Sequence, residues 1–350
     1  MEDVWRERDT APARIEAALR ALYLDRHKDE RPFVPARVLN TVVVVDAEFR
    51  GEIENRMERV GRYHPSRLIV CAVEGGRTKL DAWAAIGTDD ATDAGGITVG
   101  RERVEIKLGD KHLRKLDTIV DPLLVQDIAT LVWAPHGHSE AVDALRRLAH
   151  VVLIDSQDAP HVGEALARAA DLARDAYIVD LAWLRSTPWR ERVAATFDPP
   201  PMRESLGHIS EVIVRVREDS LAAALLFCGW LSSRLGWKPG SLSHADGGRW
   251  KGHATARRQE VRLKLEPAEQ DAPGLAGVTI ETDAGATVSL DRGPGGLQTV
   301  RRGRDGATQR WTVLGASRGE AGILGEGVRQ ALLRDPTYTP ALGCARALLS

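Results

Sequence analysis

The chain has 350 residues, 43% of them hydrophobic and 28% charged, enough for two ordinary domains and too apolar for a disordered protein. Its 48 basic and 50 acidic residues give a formal net charge of −2, which excludes the broad cationic field that drives non-specific nucleic-acid binding. The N-terminus MEDVWRERDT lacks the apolar core of a signal peptide, and the longest apolar run, Leu221–Leu231, is too short to span a bilayer, so a cytoplasmic location is expected.

Residues 1–35 read as an amphipathic helix, Ala13–Leu24, with a Pro-rich exit. RVLNTVVVVD is a continuous β-branched run of the kind buried on both faces. The helical stretch AEFRGEIENRMERVGRY and the strand HPSRLIVCAV follow, then the strands TKLDAWAAIGT and RERVEIKLG and a Lys/Leu-rich helix from about 110 to 120. TLVWAP and VVLID are short strands separated by the helix SEAVDALRRLAH, and HVGEALARAADLARD carries a helical apolar stripe. Strands alternating with helices imply an α/β domain with a mostly parallel or mixed sheet over residues 36–200, closed by the proline run Asp198–Pro201.

The second half, residues 201–350, opens with the strand EVIVRVRE and the helix LAAALLFCGWLSSRLGW, which is apolar nearly all round. From about Lys251 to Ala316, strand-like segments are divided by Gly, Pro and Asp turns, and a C-terminal helix, GEAGILGEGVRQALLRD, is expected to close the chain. This half is expected to be an α+β domain with an antiparallel sheet.

Several chemistries are missing from the text. There is no GxxxxGK[ST] loop, no GxGxxG turn, no HExxH and no CxxC pair, so no metal and no cofactor is expected. Cys71, Cys228 and Cys344 are widely spaced and sit in apolar contexts, as structural thiols do. LGASRGE carries the GxSxG of a nucleophile elbow at Ser317, but a hydrolase of that type needs a later histidine, and the last is His253. The segment His64, Pro65, Ser66, Arg67 is a candidate anion or phosphate site, since a guanidinium fork matches phosphate oxygens; the alternative is that Arg67 pairs with a nearby carboxylate.

The densest stretch is DLAWLRSTPWRERVAATFD, Asp180–Asp198. Thr187 and Pro188 mark a helix start, and Trp189, Val193 and Phe197 fall on one stripe facing a core, with Arg190 and Arg192 directed elsewhere. Trp and Arg are also the side chains that dominate protein–protein hot spots.

This stretch resembles the most distinctive block of the glucose-6-phosphate dehydrogenase assembly protein family. ARVLNTVV, HPSRLIV, DPLLVQDIATLVWAP, LAHVVLIDS and LLFCGWLSSRLGW resemble other blocks of that family, in the same order, from about residue 36 to about 340. The resemblance implies a non-catalytic factor that binds glucose-6-phosphate dehydrogenase and promotes its active oligomer or conformation, in service of NADPH production by the oxidative pentose phosphate pathway. Cyanobacterial members are linked to thioredoxin control through cysteines near the C-terminus; here only Cys344 lies there. The family supplies no catalytic residues. Candidates for partner contact are Trp183, Arg185, Trp189, Arg190, Trp230, Arg234 and Trp237. Two rival readings are an enzyme acting on a sugar phosphate through Ser66 and Arg67, and a sensor that binds such a ligand without turnover.

Overall fold

In the computed structural model, residues 2–28, 37–61, 65–88, 100–257, 259–314 and 319–350 are described. The chain forms two compact units that alternate along the sequence. Unit 1 takes Met1–Ile154, Arg174–Val179 and Leu324–Leu333; unit 2 takes Asp155–Ala173, Asp180–Ile323 and Arg334–Ser350.

Unit 1 begins with strand β1 (Glu2–Thr10) and helix α1 (Pro12–Lys28). Then come β2 (Leu39–Asp46), α2 (Arg50–Gly61), β3 (Ser66–Val73), β4 (Leu80–Thr88) and β5 (Gly100–Leu108). The expected helix at 110–120 is two short pieces, α3 (Asp110–Leu113) and α4 (Leu116–Val120). β6 (Ala129–Trp133), α5 (Ser139–Leu145) and β7 (Val151–Ile154) complete the continuous segment. After α6 (Val162–Leu172), which belongs to unit 2, the chain returns as β8 (Tyr177–Asp180).

The strand order among the described residues is β1-β4-β5-β3-β2-β6-β7-β8. The pairs β5–β3, β3–β2, β2–β6 and β6–β7 are parallel; β4 and β1 extend the sheet antiparallel at one edge. The order from β5 to β8 is that of a doubly wound nucleotide-binding sheet, with the switch of direction between β2 and β6. β2 is central, and its valines are wholly buried, which is why that run shows no alternation. Asn40 on β2 is also buried; its amide donates to the Val125 carbonyl at 2.9 Å and its oxygen accepts from the Val125 N–H at 3.0 Å, pinning the loop before β6.

β1 was not legible as a strand. Its charges fit an edge, where one long side of the strand has no neighbour among the described residues, and the left-handed Asp9 (φ 53°) breaks the register before Thr10.

Unit 2 continues from β8 through α7 (Leu181–Arg185), α8 (Thr187–Phe197) and α9 (Pro200–Arg203). β9 (Ile209–Val216) leads into α10 (Leu221–Leu235). The strands β10 (Lys238–Pro239), β11 (Ser243–Ala245), β12 (Arg249–Ala256), β13 (Gln259–Pro267), β14 (Leu275–Thr282), β15 (Thr287–Gly293), β16 (Gly296–Arg302) and β17 (Thr308–Leu314) follow. The path through the sheet is β10-β12-β13-β9-β14-β15-β16-β17, with β11 paired to β12. Its pairs are antiparallel apart from β13–β9, which α10 and the strands after it make parallel. The expected pairing of an α/β domain with a mostly antiparallel α+β domain is therefore what the chain forms.

α11 (Gly319–Leu333) does not close the chain as expected: a further helix, α12 (Tyr338–Ala347), follows it. α12 packs on α10, on α6 and on β10. α10 is buried along most of its length, as its composition requires. Ser220 stands at its start, but its hydroxyl accepts from the Gly274 N–H at 2.9 Å and does not cap the helix.

Candidate functional site

The fold offers a site at three places. The first is the HPSR segment. Arg67 lies on β3 directly beside Glu102 on β5. Its Nε donates to Glu102 Oε2 at 2.8 Å and its Nη1 to the Leu123 carbonyl at 2.8 Å, while Arg37 holds the other Glu102 oxygen. Glu102 is only 3% exposed, so this is a buried carboxylate between two guanidiniums. The arrangement is the carboxylate pairing that the sequence left open against anion capture. Ser66 begins β3 half-buried, and His64 lies outside the described residues, as does Ser317 of the GxSxG motif. We expect Arg67→Ala to lower stability by about 1–3 kcal/mol, since Arg37 still neutralises Glu102 but the Leu123 carbonyl loses its donor. Urea denaturation measures this; an unchanged midpoint would remove Arg67 from the structural account.

The second place is the crevice at the switch point, over the carboxyl ends of β2 and β6, where doubly wound sheets bind dinucleotides. The residues there do not suit one. The turn after β2 reads Asp46, Ala47, Glu48, Phe49, Arg50, Gly51: Gly51 stands at the third place of a GxGxxG spacing, but Asp46 and Glu48 occupy the places of the two glycines that make the tight turn and let the backbone approach a pyrophosphate. Phe49 instead reaches the loop after β6 and packs its ring on His136, with centroids 4.3 Å apart. His138, held left-handed at φ 44°, brings Nε2 within 3.0 Å of Asp46 Oδ1. Two side-chain contacts thus bridge the loops across which a cofactor would lie.

The third place is the Asp180–Asp198 block in unit 2. Asp180 is fully buried at the end of β8. Its Oδ1 accepts from the N–H of Ala182 at 3.0 Å and of Ser156 at 3.1 Å; its Oδ2 accepts from the Ser156 hydroxyl at 2.5 Å and the Tyr338 hydroxyl at 3.0 Å. Burial, with the nearby Asp155 charge adding to it, pushes the Asp180 carboxyl up to about 6 against those donors. Asp155 itself is clamped bidentately by Arg185, with Nη1–Oδ1 2.9 Å and Nη2–Oδ2 2.7 Å, both side chains 7% exposed.

One turn on, Trp183 and Arg190 stack. The guanidinium carbon lies 3.4 Å from the centre of the indole ring. Trp183 Nε1 donates to Asp335 Oδ2 at 2.9 Å, and Arg190 Nη1 sits 3.6 Å from the same oxygen. Arg190 also donates to Ser186 Oγ and Thr187 Oγ1. Burial pulls the Arg190 guanidinium down to about 10, with Asp335 resisting. Burial also works to raise Asp335, but hydrogen bonds from Thr337 and Trp183 and the Arg190 charge outweigh it and hold that carboxyl below its usual range. The reading that Arg190 points away from the core is corrected: it is 8% exposed, because Asp335 and Trp183 give its charge a buried partner and a ring face.

Trp189, Val193 and Phe197 do form the expected buried stripe, and Arg292 lies over Trp189 at 5.9 Å. Of the seven candidates for partner contact, Trp183, Trp189, Arg190 and Trp237 are buried and Arg185 is nearly so; in this conformation they hold unit 2 together. Trp230 is half-buried against Phe227, and Arg234 is exposed. Asp155, Asp335 and Tyr338 were not singled out from sequence, although the Asp335–Pro336 step is a turn signal.

Burial drives the Cys71 and Cys228 thiols up to about 12 and raises Cys344 as well, so none is an activated thiolate. Among the described residues no group of His, Cys, Asp and Glu is placed to hold a metal ion, and no helix is long and apolar enough to cross a membrane.

These features can be set beside known proteins. Residues 57–171 match the family model described as the glucose-6-phosphate dehydrogenase subunit N-terminal domain, and residues 176–342 match that of the C-terminal domain. A protein of Synechococcus elongatus provisionally named OxPP cycle protein OpcA is 29% identical over 182 residues, covering 50% of this chain and 41% of that protein. A relative of the same name from Synechocystis is 28% identical over 150 residues, covering 42% of this chain and 32% of its own length. The chain thus matches less than half the length of these relatives. The solved super-repressor mutant of Gal80p from Saccharomyces cerevisiae, 7% identical, superposes with a TM-score of 0.51 over 89% of this chain and 94% of that one, a likeness of fold alone. Matched in order by both domain models, the chain belongs to the OpcA family of glucose-6-phosphate dehydrogenase assembly proteins.

Proposed function

We propose that this protein is a non-catalytic cytoplasmic factor that binds glucose-6-phosphate dehydrogenase and shifts it toward its active oligomer or conformation, raising NADPH supply from the oxidative pentose phosphate pathway. The observation that carries the reading is the match of both family domains, over 57–171 and 176–342. The geometry supports it. The dinucleotide crevice is bridged by Phe49–His136 and Asp46–His138, and Arg67, which a sugar-phosphate enzyme would need, is committed to Glu102. A binder of this kind acts only through its differential affinity for the two states of its partner. Trp230 and Arg234, which keep surface in the free protein, are the contact residues favoured here.

The test is the activity of the cognate glucose-6-phosphate dehydrogenase across a range of glucose 6-phosphate, with and without this protein, beside sizing chromatography of the mixture. We expect co-elution with a lower apparent KM or a higher kcat, and weakening of the complex by about tenfold in Trp230→Ala or Arg234→Glu. Separate elution with unchanged kinetics, both proteins being folded, overturns the reading.

A further inference from the structure

Unit 1 carries a cleft of about 990 Å³ that none of the foregoing uses. It lies on one face of the sheet over β1, β4 and β5, beside α2. The strand registers set its floor: Arg6 on β1 stands opposite Trp83 on β4, and Trp83 stands opposite Glu105 on β5. The same registers set Ala85 opposite Arg103 and Asp81 opposite Lys107. Six cations line it, Arg6, Arg8, Arg50, Arg77, Arg103 and Lys107, against four carboxylates.

Most of these charges are engaged with one another. Arg50 pairs with Glu105 at 2.5 Å, Arg103 with Glu54, and Arg77 with Asp81 at 2.8 Å and with Glu74. Four donors on the same floor are left over, one of them Arg8, which is exposed and makes no ion pair among the described residues. Arg6 is exposed and makes no ion pair among the described residues. The Trp83 indole N–H is buried with no acceptor, and so is the Arg103 Nε, although the Arg103 guanidinium lies 5.1 Å from the Trp83 ring centre. A buried donor without an acceptor is costly, and a surplus of guanidiniums around it selects an anion with several oxygens. The cleft has the volume of a small-molecule site, far beyond what a lone inorganic ion needs.

We propose that this cleft binds a phosphorylated small molecule, with the phosphate oxygens accepting from the exposed Arg6 and Arg8 guanidiniums beside the stacked Arg103 and Trp83. The site is read from unit 1 by itself and does not rest on the dehydrogenase reading; a failure of activation in the test above leaves it standing.

The experiment is titration calorimetry of the full chain with inorganic phosphate, glucose 6-phosphate and ATP in turn, at low ionic strength. Two variants are run beside the wild type. Arg6→Ala and Arg8→Ala each remove an exposed side chain that makes no ion pair among the described residues. We expect saturable binding of at least one probe, weakened about tenfold in each variant, with the thermal midpoint of the free protein unchanged. Tightest binding of glucose 6-phosphate assigns the ligand to sugar phosphates, tightest binding of ATP assigns it to nucleotides, and equal binding of all three assigns recognition to the phosphate alone; each supports the site. No binding of any probe up to about 10 mM, or variants that bind as the wild type does, overturns it.

Discussion

Asp180→Ala is expected to destabilise the protein by about 3–5 kcal/mol, because it leaves four donors without their acceptor in a buried setting. The N–H groups of Ser156 and Ala182 and the hydroxyls of Ser156 and Tyr338 all aim at this one carboxylate. Asp180→Asn is expected to behave differently. The amide oxygen replaces Oδ1 as acceptor for both N–H groups, and the amide nitrogen donates to the two hydroxyls once they rotate. The pH dependence separates the two effects. The folded-state pKa is raised from 3.8 to about 6, so between these values the folded protein holds a proton that the unfolded chain has lost. Stability from this group therefore rises as pH falls from about 7 toward about 4, by up to roughly 3 kcal/mol. Asn cannot titrate. Asp180→Asn is expected to lie within about 1 kcal/mol of the wild type at neutral pH and to fall progressively behind it on acidification. Denaturant unfolding at pH 7.5 and pH 5 measures both variants. An alanine variant as stable as the wild type would show that the network contributes nothing.

Gly229→Ala is the second large effect, and its sign runs against propensity. In a helix interior alanine is favoured over glycine by about 1 kcal/mol. At Gly229 on α10, however, a Cβ would stand 2.2 Å from the Ala341 carbonyl oxygen and 2.8 Å from the Ala345 nitrogen. Both are backbone atoms of α12, so no side chain can rotate away and the two helices must separate. We expect a net loss of about 2–4 kcal/mol. α12 also carries Tyr338, so a displaced α12 would loosen the Asp180 network as well. Gly343→Ala is the internal control. It lies on α12 with nothing within 4 Å of a new Cβ, and is expected to raise stability by up to about 1 kcal/mol. Thermal midpoints of the two variants should move in opposite directions; a stabilised Gly229→Ala would mean that the helices do not pack this closely.

Features set by local pattern were legible in the sequence. The valines of β2 show burial on both faces, Trp189, Val193 and Phe197 mark the inner stripe of α8, and the near-continuous apolar surface of α10 marks a central helix. What was missed depends on partners distant in sequence. β8 has four residues, too few to show a strand pattern until its neighbour β7 is known. β1 is charged because it is an edge. α12 holds Pro340 in its first turn, where proline is tolerated but its presence argues against a helix in the text. The same limit applies to the site. Arg190 and Trp183 look like surface hot-spot residues because Asp335, 152 positions beyond Trp183, is what makes their burial affordable. Arg67 left two readings open because its carboxylate lies on a strand 35 positions on.

The alternation of the two units along the chain constrains how the protein can be made. The polypeptide passes from one unit to the other at 154/155, 173/174, 179/180, 323/324 and 333/334. A ribosome that has released residues 1–154 has delivered most of unit 1 but not Arg174–Val179 or Leu324–Leu333. The sheet of unit 1 therefore lacks its last strand until β8 has been made, and the edge of β7 stays open until then. Domains usually fold as they leave the ribosome, N-terminal first. Here the sheet of unit 1 gains its last strand only after the first segment of unit 2, Asp155–Ala173, has been made, and for that interval the edge of β7 is open to misassociation.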